Sequence, residues 1–214
     1  MDLQTAITRN ETLDRCNQAF FEGLPLTALE RYELAGEIAA NIDQGDLNPP
    51  QEGLRLFTGE RIRTRQAANA IILEESARAL ILIDSPTLDG VMAMDTARRY
   101  LTGKCFTDGC LEGECAHAAV GWLRYLSATD FPDSERRLEA GLRQVNSLRD
   151  DSGRWKGLPF YYTLLMLCEQ DRPAARRELR YASCACERLL TLQPLDELYG
   201  QRRRSVLERV LCLS

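Results

Sequence analysis

Two stretches of the sequence decide the fold prediction: Asp108–Leu126, DGCLEGECAHAAVGWLRYL, and Asp151–Cys168, DSGRWKGLPFYYTLLMLC. Each begins with an aspartate–glycine turn, reaches a second glycine and then enters an apolar run of helical length. Gly109 and Gly153 lie 44 residues apart, and Glu75–Asp84, ESARALILID, is a third copy of the helix. We therefore predict an all-α chain of stacked helical hairpins with a repeat of about 42 residues.

The rest of the chain fits this class, because no segment shows the alternation of apolar and polar residues that marks a half-buried strand. Residues 1–65 are predicted to form an N-terminal helical pair and a connector. Leu54, Leu56 and Phe57 should pack that connector on the core. Residues 66–214 are predicted to form the helical-hairpin repeat domain.

Composition narrows the function classes. The 214 residues carry a net charge of −5, which argues against a general binder of nucleic acids or anionic membranes. Arg202–Arg204 form a short basic run, which we expect on the solvated face of the last helix. No apolar run is long enough to span a bilayer, and the first residues lack a secretory signal, so we expect a cytoplasmic protein with reduced thiols.

The glycine turns also suggest a superfamily. Asp151–Gly157, DSGRWKG, and more weakly Asp108–Cys110, DGC, resemble the turns between helical hairpins in the α/α toroid of terpenoid cyclases and protein prenyltransferase β subunits. The resemblance covers roughly residues 66–192 and implies a toroid-like arc with a concave surface; an α-solenoid is the competing architecture. The Asp-x-Asp-Asp motif of the cyclases does not occur, so no catalytic residue is carried over.

In such a toroid, aromatic side chains of the inner helices line an apolar cavity. The resemblance therefore implies a ligand pocket at five aromatic residues: Trp122, Trp155, Phe160, Tyr161 and Tyr162. The alternative is that Trp155 and Phe160 fill the gap between two hairpins.

A second candidate site combines Cys105, Cys110, Cys115 and His117, which lie within 13 residues. Thiolates and imidazole are the ligands of tetrahedral Zn(II), and cysteines also hold Fe–S clusters. Cys115 is expected at a helix start, where the helix dipole favours thiolate. The alternative is that the cysteines pack as small residues and His117 is a hydrogen-bonded helix residue. A Cys115–His117 catalytic pair is disfavoured, because residues two apart on a helix point about 200° away from each other.

Two function classes follow. The first is a non-catalytic helical-repeat protein that binds a protein or an apolar small molecule on its concave surface. The second is a metal-binding protein, or an enzyme acting on an apolar, prenyl-like substrate, that uses the cysteines and His117. The exposed end of an incomplete arc also favours a homodimer.

Overall fold

The all-α class is confirmed by the computed structural model, which describes residues 3–43, 54–62, 64–129, 133–192, 194 and 197–214. In these residues the chain forms nine α-helices, one turn of 3₁₀ helix at Cys105–Asp108 and one pair of two-residue strands. The helices are α1 Leu3–Glu22, α2 Ala28–Asp43, α3 Arg65–Ile83, α4 Leu88–Leu101, α5 Cys115–Leu126, α6 Ser134–Ser147, α7 Phe160–Cys168, α8 Pro173–Leu190 and α9 Leu198–Leu213.

Helices α3, α5 and α7 form the centre of the molecule. Most residues of each are buried, and α5 contacts both α3 and α7. A helix that is apolar on nearly all sides must be covered on all sides. Helices α1, α2 and α4 cover α3, whereas α8 and α9 cover α7 and α6 lies against α5. None of the helices described is long and apolar enough to cross a membrane.

The described part of the connector, residues 54–62, packs on the core. Leu54, Leu56 and Phe57 are all buried, and β1 (Leu54–Arg55) pairs antiparallel with β2 (Arg61–Ile62). These strands are too short for their periodicity to appear in the sequence. Residues 46–53 and 63 of the predicted connector lie outside the described residues.

The β1–β2 hairpin also caps helix α7. The Glu60 carboxylate accepts hydrogen bonds from the backbone amides of Tyr161 (2.8 Å) and Tyr162 (3.0 Å). Pro159, which precedes the helix, provides no side-chain cap. Backbone amides at a helix N-terminus need an acceptor, and here the acceptor comes from a distant part of the chain. Burial raises the pKa of Glu60 to about 6.

The two glycines that define the predicted repeat occupy the same backbone region. Gly109 has φ +96° and Gly153 has φ +86°, values that side-chain-bearing residues rarely adopt. Each lies against the second helix of its own hairpin. A Cβ on Gly109 would overlap the Gln144 amide on α6, and one on Gly153 would lie 2.8 Å from the Ala185 Cβ on α8.

The prediction of a solvated arginine run is wrong for Arg202. Its side chain is only 8% exposed, pairs with Asp14 at 2.9 Å and donates to the Phe57 carbonyl oxygen at 3.2 Å. Arg203 donates to the Thr58 carbonyl oxygen at 2.8 Å. Helix α9 packs its arginines against α1 and the connector, a contact that charge patterning along one helix does not reveal.

Candidate metal centre and adjoining pocket

Three of the four predicted metal ligands come together. The Sγ atoms of Cys105, Cys110 and Cys115 all lie within 4.8 Å of one another, and those of Cys105 and Cys115 are 3.2 Å apart. Zn–S bonds of about 2.3 Å in a tetrahedral site place the sulfurs about 3.8 Å apart. The three thiols therefore have a spacing close to that of a metal-binding set.

The local fold of residues 105–115 produces this convergence. Cys105 begins the 3₁₀ turn, and the Cys110 backbone amide donates to the Cys105 carbonyl oxygen at 3.1 Å. Gly109 and Gly113 both have positive φ, which folds the loop back towards its start. Cys115 begins α5, as predicted, so its sulfur lies at the positive end of a helix dipole.

The electrostatics of the cluster favour a cation. The contact with Cys105, followed by burial and the proximity of Cys110, raises the pKa of Cys115 to about 12. Thiols packed this closely oppose one another's ionisation. A bound dication reverses that effect, because it stabilises the thiolate form of every sulfur that it contacts. The site is accessible to an ion, because Cys105 is exposed and the other two cysteines are half-buried.

His117 does not belong to this set of converging ligand atoms. Its Nδ1 is buried and has no hydrogen-bond partner in the described part of the chain. Burial lowers the pKa of His117, although the nearby Glu114 carboxylate raises it. Glu114 itself accepts a hydrogen bond from the Thr64 hydroxyl at 2.9 Å. The geometry thus assigns the candidate site three sulfur ligands and leaves the imidazole outside.

A pocket adjoins the cysteine loop. Its volume is about 420 Å³, and its walls come from the 3₁₀ turn, the loop after it, α5 and α6. Trp122 and Leu123 of α5 and Phe106 of the 3₁₀ turn contribute apolar surface. Three arginines of α6 add positive charge: Arg136, Arg137 and Arg143. This combination suits a molecule with an apolar body and an anionic group.

Of the five aromatic residues predicted to line a ligand pocket, Trp122 lines this one. Trp155 is buried and packs against Phe160, with ring centroids 6.1 Å apart, inside the second hairpin. The Arg203 guanidinium lies 4.9 Å from the ring centroid of Tyr161. Tyr162 lines a separate cleft of about 30 Å³. The sequence identified buried aromatic residues, but helix packing distributes them among different environments.

A buried charge cluster between α3, α5 and α7 was not anticipated. Arg124 bonds Glu75 and Glu169, each at 2.7 Å, and Arg78 bonds Glu169 at 2.8 Å. The Tyr162 hydroxyl donates to Glu75. Because two carboxylates balance two guanidiniums, the cluster is electrically neutral and links the three central helices. The signal for it was the presence of glutamate and arginine inside an otherwise apolar α3.

Glu74 lies beside this cluster and differs from its members. It is fully buried, and neither carboxylate oxygen has a hydrogen-bond partner in the described part of the chain. Burial and the adjacent Glu75 charge raise its pKa well above the ordinary value, which favours the protonated form. Gly121 on α5 makes room for it, because a Cβ there would overlap the Glu74 carboxylate.

Comparisons with protein-family models, with curated proteins and with solved structures found no match for this chain. The resemblance to the α/α toroid superfamily therefore stays a prediction, and function must be argued from the site itself.

Proposed function

We propose that the protein binds a soft transition-metal ion, above all Zn(II), through Cys105, Cys110 and Cys115. The observation that carries this proposal is the convergence of three Sγ atoms within 4.8 Å from positions five residues apart. Thiolate ligands select zinc over magnesium and calcium, which prefer oxygen. Three protein ligands leave the fourth tetrahedral position to solvent or to an added ligand.

The expected role of the ion is to fix residues 105–115. These residues join the 3₁₀ turn to α5 and also form part of the adjoining pocket wall. A bound ion stabilises the thiolate form that the three close thiols otherwise oppose, and it cross-links the loop at three points. Metal binding should therefore stabilise the folded conformation of residues 105–115.

Metal analysis of the untagged protein, purified under reducing conditions and reloaded with zinc, tests the proposal. We expect about one zinc ion per chain, retained through desalting. Cys105→Ser and Cys110→Ser should each lose most of it, because each removes one of three protein ligands. Cys184→Ser is the matched control, since Cys184 is an exposed free cysteine on another helix.

Two further measurements sharpen the test. Cobalt substitution should give sulfur-to-metal charge-transfer absorption and the visible bands of a tetrahedral site, both reduced in Cys110→Ser. His117→Ala should leave metal content unchanged, because its imidazole lies outside the converging set. Zinc well below one per chain, in a preparation whose thiols are shown to be free, would contradict the proposal.

A second candidate function is the one that the sequence placed first: a non-catalytic helical-repeat protein that binds a protein or an apolar ligand. The pocket of about 420 Å³ between α5 and α6 supports its small-molecule form. Exposed apolar side chains on α2 and α4, such as Tyr32, Val91 and Met92, are compatible with the predicted homodimer. Sedimentation velocity of the protein at several concentrations would test for that dimer.

A further inference from the structure

The apolar part of the pocket beside the cysteine loop is continuous with the core. Trp122 and Leu123 are almost completely buried within the fold and still contribute to the pocket lining, together with Phe106 and Leu111. Gly141 on α6 permits this approach, because a Cβ there would overlap the Leu123 side chain. An apolar body of moderate size can therefore enter between α5 and α6 without displacing charged groups.

The polar part of the pocket is dominated by Arg137. This side chain is 33% exposed, and its NH1 donates to the Thr107 carbonyl oxygen at 3.0 Å. Its Nε is buried and has no hydrogen-bond partner in the described residues. The nearest carboxylate, that of Asp108, is 3.5 Å from NH1, at the limit of a hydrogen bond. Arg137 thus retains hydrogen-bonding capacity in a partly desolvated position.

The other two arginines of the pocket, Arg136 and Arg143, are exposed at its rim, and among the described residues they pair with Asp133 and Glu139. Arg137 has Asp108 as its acidic neighbour, so the charges of the three arginines are largely balanced. The attraction for an anionic group therefore rests on the Arg137 donors that its 3.5 Å contact with Asp108 leaves available.

The second hairpin has a larger side chain at one position of the glycine loop. Trp155 lies 44 residues after Leu111, the offset that also separates Gly153 from Gly109. Trp155 is buried and packs against Tyr181 with ring centroids 6.0 Å apart. The first hairpin has the smaller Leu111 at this position, and Leu111 lines the pocket.

We propose that the pocket between α5 and α6 binds a small apolar molecule that carries one carboxylate. The apolar body contacts Trp122 and Leu123, and the carboxylate accepts hydrogen bonds from Arg137. A guanidinium is planar and offers parallel donors, which match the two oxygens of a carboxylate. This inference deepens the second proposed function by naming the ligand class, and it does not depend on the metal.

Calorimetric titration of the full chain with octanoate and with octanol tests the inference. The two probes share an apolar chain and differ in the charged group. We expect octanoate to bind at one site and at least about tenfold more tightly than octanol, because charge-assisted hydrogen bonds are the stronger kind. Fluorescence of a Trp155→Phe protein, in which Trp122 is the remaining tryptophan, should change on octanoate binding.

Three variants locate the interaction. Arg137→Gln should weaken octanoate binding about tenfold and leave octanol binding unchanged, because only the anion uses the guanidinium. Leu111→Trp should abolish binding of both probes, because it introduces at this position the larger side chain that the second hairpin has there. Arg176→Gln is the matched control: Arg176 is an exposed arginine on α8, paired with Asp171, and its loss should change neither titration. Circular dichroism melts establish that each variant is folded.

The outcomes separate the ligand class from the pocket itself. Equal affinity for octanoate and octanol, or octanoate binding unaffected by Arg137→Gln, overturns carboxylate recognition but leaves the pocket as an apolar site. Octanoate binding that persists in folded Leu111→Trp overturns the location. Failure of both probes to bind the wild-type protein overturns the inference and the small-molecule form of the second proposed function together, while the metal proposal is unaffected.

Discussion

Two helical hairpins, α5–α6 and α7–α8, are each preceded by a loop with a positive-φ glycine, Gly109 in the first and Gly153 in the second, but the surroundings of the two loops differ. In the second hairpin, the Trp155 indole donates to Glu178 at 3.0 Å, and Glu178 also accepts from Arg149 and Asn146. Each of these polar groups has a hydrogen-bond partner, and the Trp155 side chain is buried within the hairpin. The first hairpin has three converging thiols on its turn and a pocket of about 420 Å³ beside it.

This difference indicates where stability and function reside. A turn that is filled and fully hydrogen-bonded stabilises the junction between two helices and offers nothing to a ligand. A turn with a pocket beside it gives up packing energy, which is expected where a protein binds a ligand. The positive φ of Gly109 and Gly153 is common to both loops. The backbone around each glycine differs, because residues 105–108 form a 3₁₀ turn whereas Arg149 and Trp155 form a β-bridge.

The largest expected change in the free energy of unfolding follows from removing the Trp155 side chain of the second hairpin. Trp155→Ala should lower the free energy of unfolding by about 3–5 kcal/mol, because it leaves a cavity and removes a partner of Glu178. Leu111→Ala, at the corresponding position of the first hairpin, should cost less than about 1 kcal/mol, because Leu111 lines an existing pocket. Urea denaturation of both variants measures the contrast. Similar losses of unfolding free energy in the two variants would contradict the distinction between a filled second turn and an open first turn.

The next effect concerns Glu74, which Gly121 of the first hairpin accommodates. Because its pKa is raised in the folded state, the unfolded chain ionises first as pH increases above the ordinary carboxyl range. The free energy of unfolding contributed by this group therefore falls with rising pH until the folded-state pKa is passed. Glu74→Gln removes that dependence. Its stability relative to the wild type should increase by about 1.4 kcal/mol per pH unit in this window.

Urea denaturation of Glu74→Gln and of the wild type at about pH 5, 6 and 7 measures this difference. A constant difference across the series would mean that Glu74 is ionised in the folded protein. Glu178→Gln provides a comparison from the second hairpin. Glu178 is a buried carboxylate with four hydrogen-bond contacts, so its substitution should destabilise the protein.

The smallest effect separates the two glycines. Gly109→Ala and Gly153→Ala should each cost about 1 kcal/mol for the positive φ alone. Gly153→Ala should cost more, because its new methyl group meets the Ala185 Cβ on helix α8 at 2.8 Å. The methyl group on Gly109 meets the end of the flexible Gln144 side chain, which can move. Thermal melts of the two variants give the ranking, and a greater loss for Gly109→Ala would contradict it.

Much of the fold could be predicted from the sequence because its signals are local. At the start of α2, for example, the Thr27 amide donates to the Glu30 carboxylate at 2.9 Å and the Glu30 amide donates to the Thr27 hydroxyl at 3.3 Å, a reciprocal cap between residues three apart. Cys115 begins α5 for the same kind of local reason. The cysteine cluster could be predicted in part, because residues five apart on one short loop stay close in any compact fold.

Other features could not be predicted, because they depend on contacts between distant elements. The α7 cap comes from Glu60, about a hundred residues earlier in the chain. The exclusion of His117 is different, because it is local: Cys115 and His117 lie two residues apart on α5 and point about 200° away from each other. Arg202 is buried because α9 packs on α1 and the connector, and periodicity within α9 contains no information about that contact.

By itself, the sequence determined the helices, the aspartate–glycine turns and the proximity of three cysteines, since hydrophobic periodicity, backbone preference and short loop length act within a few residues. Only the tertiary structure decided that a pocket of about 420 Å³ lies beside the first turn. It also decided that Glu74 is buried without a partner while Glu75 is paired. Those outcomes depend on side-chain volume and charge at the junction of three helices, which no single stretch of the chain specifies.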